Sequence, residues 1–274
     1  MINQKSNPLL SIVIPCYNMG AYIKEAVDSI STFQNSNKIE LIIVNDGSTQ
    51  EETLRVLEEL EKEGFCVLHQ ENEGLAMARN NGIALSKGDY IIPLDADNKI
   101  RPEFISTAIE TFSKNNDVDI IYSDAAYFGE KTGRWTVGKF HFPKLLMANY
   151  IDACACYKRS VWEKLGGYDK DMPVMGSEDW DFWLRAHLKG FNFIYIPEIL
   201  FDYRVRTDSM VANTKRNGSL IAEYMFKKPE LANFKEVRNY IWKLTHNKNR
   251  NDELPNFKEL IKLFIVKLKS ILKK

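Results

Sequence analysis

Two aspartates one residue apart, Asp95 and Asp97, follow an apolar run at residues 90–94 and precede Asn98. If the chain turns there, both carboxylates face one ligand. They then offer the hard oxygen donors that Mg2+ or Mn2+ take, with positions left for substrate phosphate oxygens. A D-x-D triplet by itself is more often a capped, solvated turn. Two further readings fail on spacing. An EF-hand loop from Asp95 needs an oxygen ligand at its fifth position and a glutamate at its twelfth, where this chain has Lys99 and Ser106. A phosphatase nucleophile motif D-x-D-x-T/V meets Lys99 at its last position.

Other residues carry compatible chemistry. Asp46 follows an apolar run and precedes Gly47-Ser48, so its carboxylate can accept hydrogen bonds from a base while Gly47 lets the backbone approach closely; an ordinary Asp-Gly turn has the same pattern. Arg79, in Asn72-Glu73-Gly74-Leu75-Ala76-Met77-Ala78-Arg79-Asn80, is either a phosphate clamp on a close-packed helix or an exposed helical arginine. Gly176-Ser177-Glu178-Asp179-Trp180-Asp181 opens a helix whose acids suit its N-terminus, and a carboxylate against Trp180 also suits a general base.

The elements that must position these groups alternate. Residues 11–14 and 40–45 read as strands, with Ile23, Ala26, Val27, Ile30 and Phe33 at helical spacing between them. Ser48 or Thr49 with Glu51 or Glu52 reads as a capping box for a helix striped by Leu54, Leu57 and Leu60 and stopped by Gly64. Residues 65–69, 90–94 and 120–122 read as further strands, with helices over 75–85 and 102–112. Alternation of this kind implies an α/β fold with a mostly parallel sheet covered on both faces, whose ligands sit beyond the carboxyl ends of the strands. Beyond residue 123 it gives way to a hairpin and aromatic-rich loops, and beyond 213 to helices.

Lysine plus arginine equals aspartate plus glutamate at 37 each, so the bulk charge gives no reason to expect a nucleic-acid partner. Cys16, Cys66, Cys154 and Cys156 lack zinc spacing and disulfide density, which fits a reducing compartment. No apolar run is long enough for a spanning helix.

Taken in order, these segments resemble family 2 glycosyltransferases. Ser11-Ile12-Val13-Ile14-Pro15-Cys16-Tyr17-Asn18 is similar to the family's opening strand, Val44-Asn45-Asp46-Gly47-Ser48-Thr49 to its base-binding turn, residues 72–82 to its Asn-x-Gly-x-x-x-Ala-Arg-Asn-x-Gly helix, and Asp95-Ala96-Asp97 to its metal motif. Gly166-Gly167-Tyr168-Asp169 followed by Glu178-Asp179 resembles its acceptor-side segment. The resemblance implies a GT-A, Rossmann-like fold over residues 1–214, with a nucleotide-binding half at 1–122 and an acceptor-side half at 123–214, followed by a helical extension at 215–274. It implies an inverting hexosyl- or N-acetylhexosaminyltransferase that uses a sugar nucleotide, of the UDP type, and a glycan or lipid-linked acceptor in polysaccharide synthesis. A catalytically inactive sugar-nucleotide-binding scaffold is the alternative. A nucleotidylyltransferase is disfavoured because its Gly-x-Gly-x-Arg loop is absent.

By the same resemblance, Pro15, Tyr17, Asn18, Asp46, Gly47, Ser48, Arg79, Asp95 and Arg206 contact the nucleotide, Asp97 with Asp95 holds Mn2+ or Mg2+, and Asp179, beside Glu178, is the catalytic base. This chain departs from the family pattern twice: Asn98 stands where relatives often have a further aspartate, and Arg206 in Tyr203-Arg204-Val205-Arg206-Thr207-Asp208-Ser209 stands where they have histidine. Arg206 is suited to diphosphate instead.

Residues 255–274 hold six lysines against one glutamate, and Leu260, Ile261, Phe264, Leu268, Ile271 and Leu272 share one helical face. That tail reads either as a terminal helix packed on the domain or as a membrane-surface helix, with the protein in the cytoplasm or at the inner membrane surface.

Overall fold

The computed structural model describes residues 8–30, 38–246 and Lys262. The amphipathic tail therefore lies outside the described residues, Lys262 excepted.

The first half is built from strand, helix, strand units: β1 (Leu10–Cys16), α1 (Gly20–Asp28), β2 (Ile39–Asp46), α2 (Glu51–Lys62), β3 (Cys66–Gln70), α3 (Leu75–Leu85) and β4 (Tyr90–Pro93). β1 pairs in parallel with β2 and β4, and β2 in parallel with β3. All seven residues of β1 are buried, as a strand covered on both faces requires. Its side chains alternate between two cores. Ile12 and Ile14 pack with Ile23, Val27 and Leu57 of α1 and α2, whereas Val13 packs with Ala78 and Ile83 of α3. Helix α3 lies close enough that a Cβ on Gly82 would collide with Val13 and Val44, so glycine is required there.

Then follow β5 (Lys99–Ile100), α4 (Pro102–Lys114), β6 (Ile120–Gly129), β7 (Gly133–Trp135), α5 (Phe142–Met147), β8 (Cys156–Lys158), α6 (Arg159–Leu165), α7 (Glu178–Leu188) and β9 (Phe193–Val205). The sheet runs β3-β2-β1-β4-β8-β6-β9-β5, with β7 added to β6 as a hairpin. β8 is antiparallel to both β4 and β6, so the sheet is mixed beyond its parallel half. The predicted strand at 120–122 extends to Gly129 because β9 runs beside it with a register shift around Asp124. At that irregularity the Asp124 carboxylate is wholly buried. It accepts hydrogen bonds from Arg134 Nε and Nη2, Val137 N and Tyr195 OH, which pin the β6–β7 hairpin.

After β9 come α8 (Val211–Arg216), α9 (Gly218–Met225), α10 (Pro229–Ala232) and α11 (Lys235–His246). Ile221, Met225, Leu231 and Val237 join the core that holds Trp183 and Leu184 of α7. Among the described residues, no helix is long and apolar enough to cross a membrane.

Candidate active site

Beyond the carboxyl ends of β1, β2 and β4 opens a cleft of about 1420 Å³. Of the residues singled out in the sequence, Pro15, Tyr17, Asn18, Asp46, Arg79, Asp95, Asp97, Glu178, Asp179 and Arg206 line it. Gly47 and Ser48 are not among its lining residues.

The first two strand ends are tied together by their polar side chains. Asn18, held at φ 55, accepts from the backbone N–H groups of Thr49 and Gln50 through Oδ1, at 2.9 and 3.0 Å. The turn that leads into α2 is therefore held by the end of β1. Gln50 occupies the cap position without a side-chain hydrogen bond, in place of the Ser48 or Thr49 box expected from local sequence. Ser48 instead receives the Asn18 N–H on Oγ and donates its own N–H to Asn45 Oδ1. Gly47 has φ 68, and a Cβ there would lie 2.6 Å from Asn72 N, so the turn demands glycine.

Asp46 faces the next loop. Its carboxylate accepts from Gln70 Nε2 at 2.8 Å, Glu73 N at 2.8 Å and Gly74 N at 3.0 Å, and so fixes the entry to α3. Arg79 in that helix is 2 % exposed, neither a surface arginine nor a free clamp. It donates through Nη2 to Asp95 Oδ1 at 2.6 Å and through Nη1 to Glu178 Oε1 at 2.7 Å. Burial opposes its charge, but Asp95 and Glu178 outweigh that and hold it protonated. The next residue, Asn80, binds both Tyr168 O and Tyr168 N, which joins α3 to the loop before α7.

Asp97 is paired with Arg206, whose Nε lies 2.8 Å from Oδ2. Burial and the charge of Asp95 push the Asp97 carboxyl above its ordinary value, with Arg206 acting against them. Asn98 lines the cleft but is buried, and its Oδ1 already accepts the Arg204 N–H of β9 at 2.9 Å. It is not placed as a metal donor.

Among the described residues, no three carboxylate, histidine or cysteine side chains are grouped to hold a metal. The two ion pairs leave Asp95 Oδ2 and Asp97 Oδ1 outside them, a two-carboxylate donor set of the kind Mg2+ and Mn2+ use together with substrate phosphates. The residues fit such an ion if phosphate and water supply the rest of its shell.

On the far side, α7 begins at Glu178. Its Oε2 accepts from Gly176 N and Ser177 N while Oε1 holds Arg79, so the carboxylate is committed to structure. Asp179 is half-buried, with Oδ2 receiving Asn149 Nδ2 at 2.8 Å and Oδ1 receiving Trp180 N at 2.7 Å. Burial and the adjacent charge of Glu178 push its carboxyl well above the usual carboxylate range. Trp180 forms the wall beside it, fixed by a 2.6 Å bond from Nε1 to Leu145 O.

Sequence reasoning missed Asp152. It lines the cleft, its Oδ1 accepts Cys154 N, and burial with the charge of Asp95 raises its carboxyl to about 7. An aspartate in Tyr150-Ile151-Asp152-Ala153-Cys154 carries no local signal. Also missed was the aromatic cluster of Tyr127, Trp135 and Tyr203, in which Tyr127 and Trp135 stack at 5.9 Å and Tyr203 meets both edge-on. All three line the cleft.

Over residues 11–166, more than half of the chain, the sequence matches the family model described as Glycosyl transferase family 2. It is 31% identical over 223 residues to a protein named as glycosyltransferase EpsH of Bacillus subtilis (strain 168), covering 74% of this chain and 63% of that one. It is 24% identical over 261 residues to the chondroitin synthase of Escherichia coli, covering 89% of this chain and 37% of the relative. The chain thus spans less than two thirds of the length of either relative.

Among solved structures, S. aureus TarS in complex with UDP-GlcNAc matches with a TM-score of 0.67 at 16% identity, covering 96% of this chain and 82% of that one. The mannosyltransferase PcManGT of Pyrobaculum calidifontis, in complex with GDP-Man and Mn2+, matches with a TM-score of 0.57 at 16% identity, covering 98% and 75%. At such identities the likeness is one of fold.

Proposed function

The chain belongs to glycosyl transferase family 2 and has the GT-A α/β fold, and from that premise we propose that it is an inverting transferase moving a sugar from a UDP-sugar to a hydroxyl of a glycan or lipid-linked acceptor. The observation that carries the reading is the convergence, in one cleft, of the strand-end group Asp46, Asp95 and Asp97 with Asp179 on the facing helix. The UDP-GlcNAc complex of TarS, a protein of the same fold, supports uridine as the base.

On this reading Pro15, Tyr17 and Asp46 border the nucleoside, and the diphosphate lies against Arg206 and the Asp95–Asp97 turn. Asp95 and Asp97 would hold a divalent ion there, which when bound would supply charge neutralisation for the departing diphosphate. Arg206 donates to the phosphate oxygens as the charge develops there. Arg79, buried between Asp95 and Glu178, acts by holding Asp95 and the start of α7 in one frame. Glu178 is accordingly assigned to positioning rather than proton transfer.

Asp179 removes the acceptor proton. The acceptor oxygen then bonds to the anomeric carbon, the bond from that carbon to the diphosphate breaks, and its electron pair leaves with the nucleoside diphosphate. A single displacement of this kind inverts the anomeric configuration. Asn149 orients the Asp179 carboxylate, and Trp180 keeps its surroundings apolar enough to raise its basicity. The extension that begins at residue 215 is read, over its described residues 215–246, as part of the acceptor side.

The test is a panel of sugar nucleotides with Mn2+ or Mg2+, followed by protection against thermal unfolding and by release of nucleoside diphosphate. Protection by UDP-sugars above other donors is expected. Absence of protection by every donor would overturn the reading.

A further inference from the structure

In a single displacement the anomeric carbon lies between the departing phosphate oxygen and the acceptor hydroxyl. On the transferase reading, the ring of the donor sugar therefore occupies the space between the Asp95–Asp97 turn and Asp179. Two side chains that the mechanism leaves unused line the same cleft, Asp152 in the loop before β8 and Tyr203 in β9. We propose that they hold the transferred sugar, Asp152 Oδ2 and the Tyr203 hydroxyl bonding to its hydroxyl groups, and that the donor is in consequence a neutral sugar and not a uronic acid. The inference rests on the transferase reading and deepens it.

Both groups have bonding capacity to spare. Asp152 is half-buried and engaged through Oδ1, which accepts Cys154 N at 2.9 Å, while Oδ2 has no hydrogen-bond partner among the described residues. The Tyr203 hydroxyl has no partner among them either, and neither atom is closed off from solvent. The Tyr203 ring is nevertheless fixed, because Trp135 and Tyr127 meet it edge-on at 5.3 and 6.1 Å. A free carboxylate oxygen accepts the O–H groups that a pyranose carries around its ring, and a phenol donates or accepts.

The charges around the two groups place them. Burial and then Asp95 raise the Asp152 carboxyl, Arg79 opposes them, Asp97 adds to them, and Asp152 in turn acts on Asp179. Burial and then Asp152 push the Tyr203 hydroxyl up, followed by Asp95, Asp97 and Asp179. Each group therefore stands within electrostatic reach of both the metal turn and the base. Asp152 does not complete a metal site, since among the described residues no three carboxylates are grouped for one. Nor is a cation free to receive a sugar carboxylate there: Arg79 is committed to Asp95 and Glu178, and Arg206 is paired with Asp97 and assigned to the diphosphate. Lys131 lines the cleft, but it is exposed and stands over the Tyr127 ring at 3.8 Å. A uronic acid beside Asp152 and Asp179 would meet like charge in a half-buried site, the kind of repulsion by which a site rejects a wrong substrate.

The experiment is calorimetric titration of the full chain in Mn2+ with UDP, with UDP-glucuronate, and with the neutral donors UDP-glucose, UDP-galactose and their N-acetylamino counterparts. It is repeated for Asp152→Asn, Asp152→Ala and Tyr203→Phe. The best neutral donor should bind the wild type about tenfold more tightly than UDP-glucuronate. Asp152→Ala should lose about tenfold in affinity for that donor and Tyr203→Phe about threefold, with UDP affinity unchanged in both. Asp152→Asn, which keeps the shape and removes the charge, should narrow the gap to UDP-glucuronate. UDP-glucuronate bound by the wild type as tightly as the best neutral donor would overturn the inference, as would equal losses for UDP and UDP-sugar in Asp152→Ala. Full donor affinity in Asp152→Asn and Asp152→Ala would also overturn it, and if transfer were lost at the same time Asp152 would be a proton acceptor instead. Failure of UDP to bind the wild type would overturn the transferase reading and this inference with it, whereas every other outcome is read with UDP bound and bears on the inference alone.

Discussion

Arg79 Nη1 stands 2.7 Å from Glu178 Oε1 across 99 positions of sequence, and both side chains are 2 % exposed. This pair ties α3 to α7, the helix that bears Asp179, and the second arm of Arg79 reaches Asp95. The two halves of the cleft are therefore held by one guanidinium.

Breaking that link should cost stability as well as activity. Glu178→Ala leaves a buried guanidinium with Asp95 as its one remaining ion-pair partner, and removing one member of a buried pair typically costs about 3–5 kcal/mol. Urea unfolding of this variant should show such a loss, with Glu178→Gln losing less because its amide oxygen still accepts from Arg79. Wild-type stability in Glu178→Ala would mean that Asp95 alone suffices to hold Arg79.

The pH profile follows from Asp179. Its carboxyl is held well above the usual range by burial and by Glu178, and a general base works only when deprotonated. The rate at saturating donor should rise with pH along a limb centred well above the ordinary aspartate value of about 4. A limb at that ordinary value, or none, would show that Asp179 does not govern the step.

Arg206 and Asp97 make a third test, because their 2.8 Å ion pair stands where the resembling families carry a histidine. Arg206→Gln leaves Asp97 without its counter-charge. UDP binding measured in chelator should weaken about tenfold, while Mn2+ binds more tightly than to the wild type. Unchanged UDP affinity would remove Arg206 from the diphosphate site.

The parallel half of the fold was legible because its signals are local. The stripe over residues 75–85 became α3 with those limits, and the apolar runs before Pro15, Asp46 and Asp95 became β1, β2 and β4. The polar strand ends came together at one rim for the same reason. What could not be read locally depends on partners distant in sequence. Asn18 holds the turn that leads into α2, Asn98 is drawn to Arg204 in β9, and Arg79 is buried because Asp95 and Glu178 meet it there. Asp152 belongs with them: only the folding of its loop over the Asp95 turn gives it a site environment.

The central claim is that Asp97 serves the donor and Asp179 the acceptor. Its most direct test measures UDP-sugar affinity in Mn2+ and the transfer rate side by side for Asp97→Ala and Asp179→Asn. Asp179→Asn should keep wild-type donor affinity and lose transfer by about 10²–10⁴-fold, whereas Asp97→Ala should lose metal-dependent donor affinity. Equal loss of donor binding in the two variants would contradict the assignment.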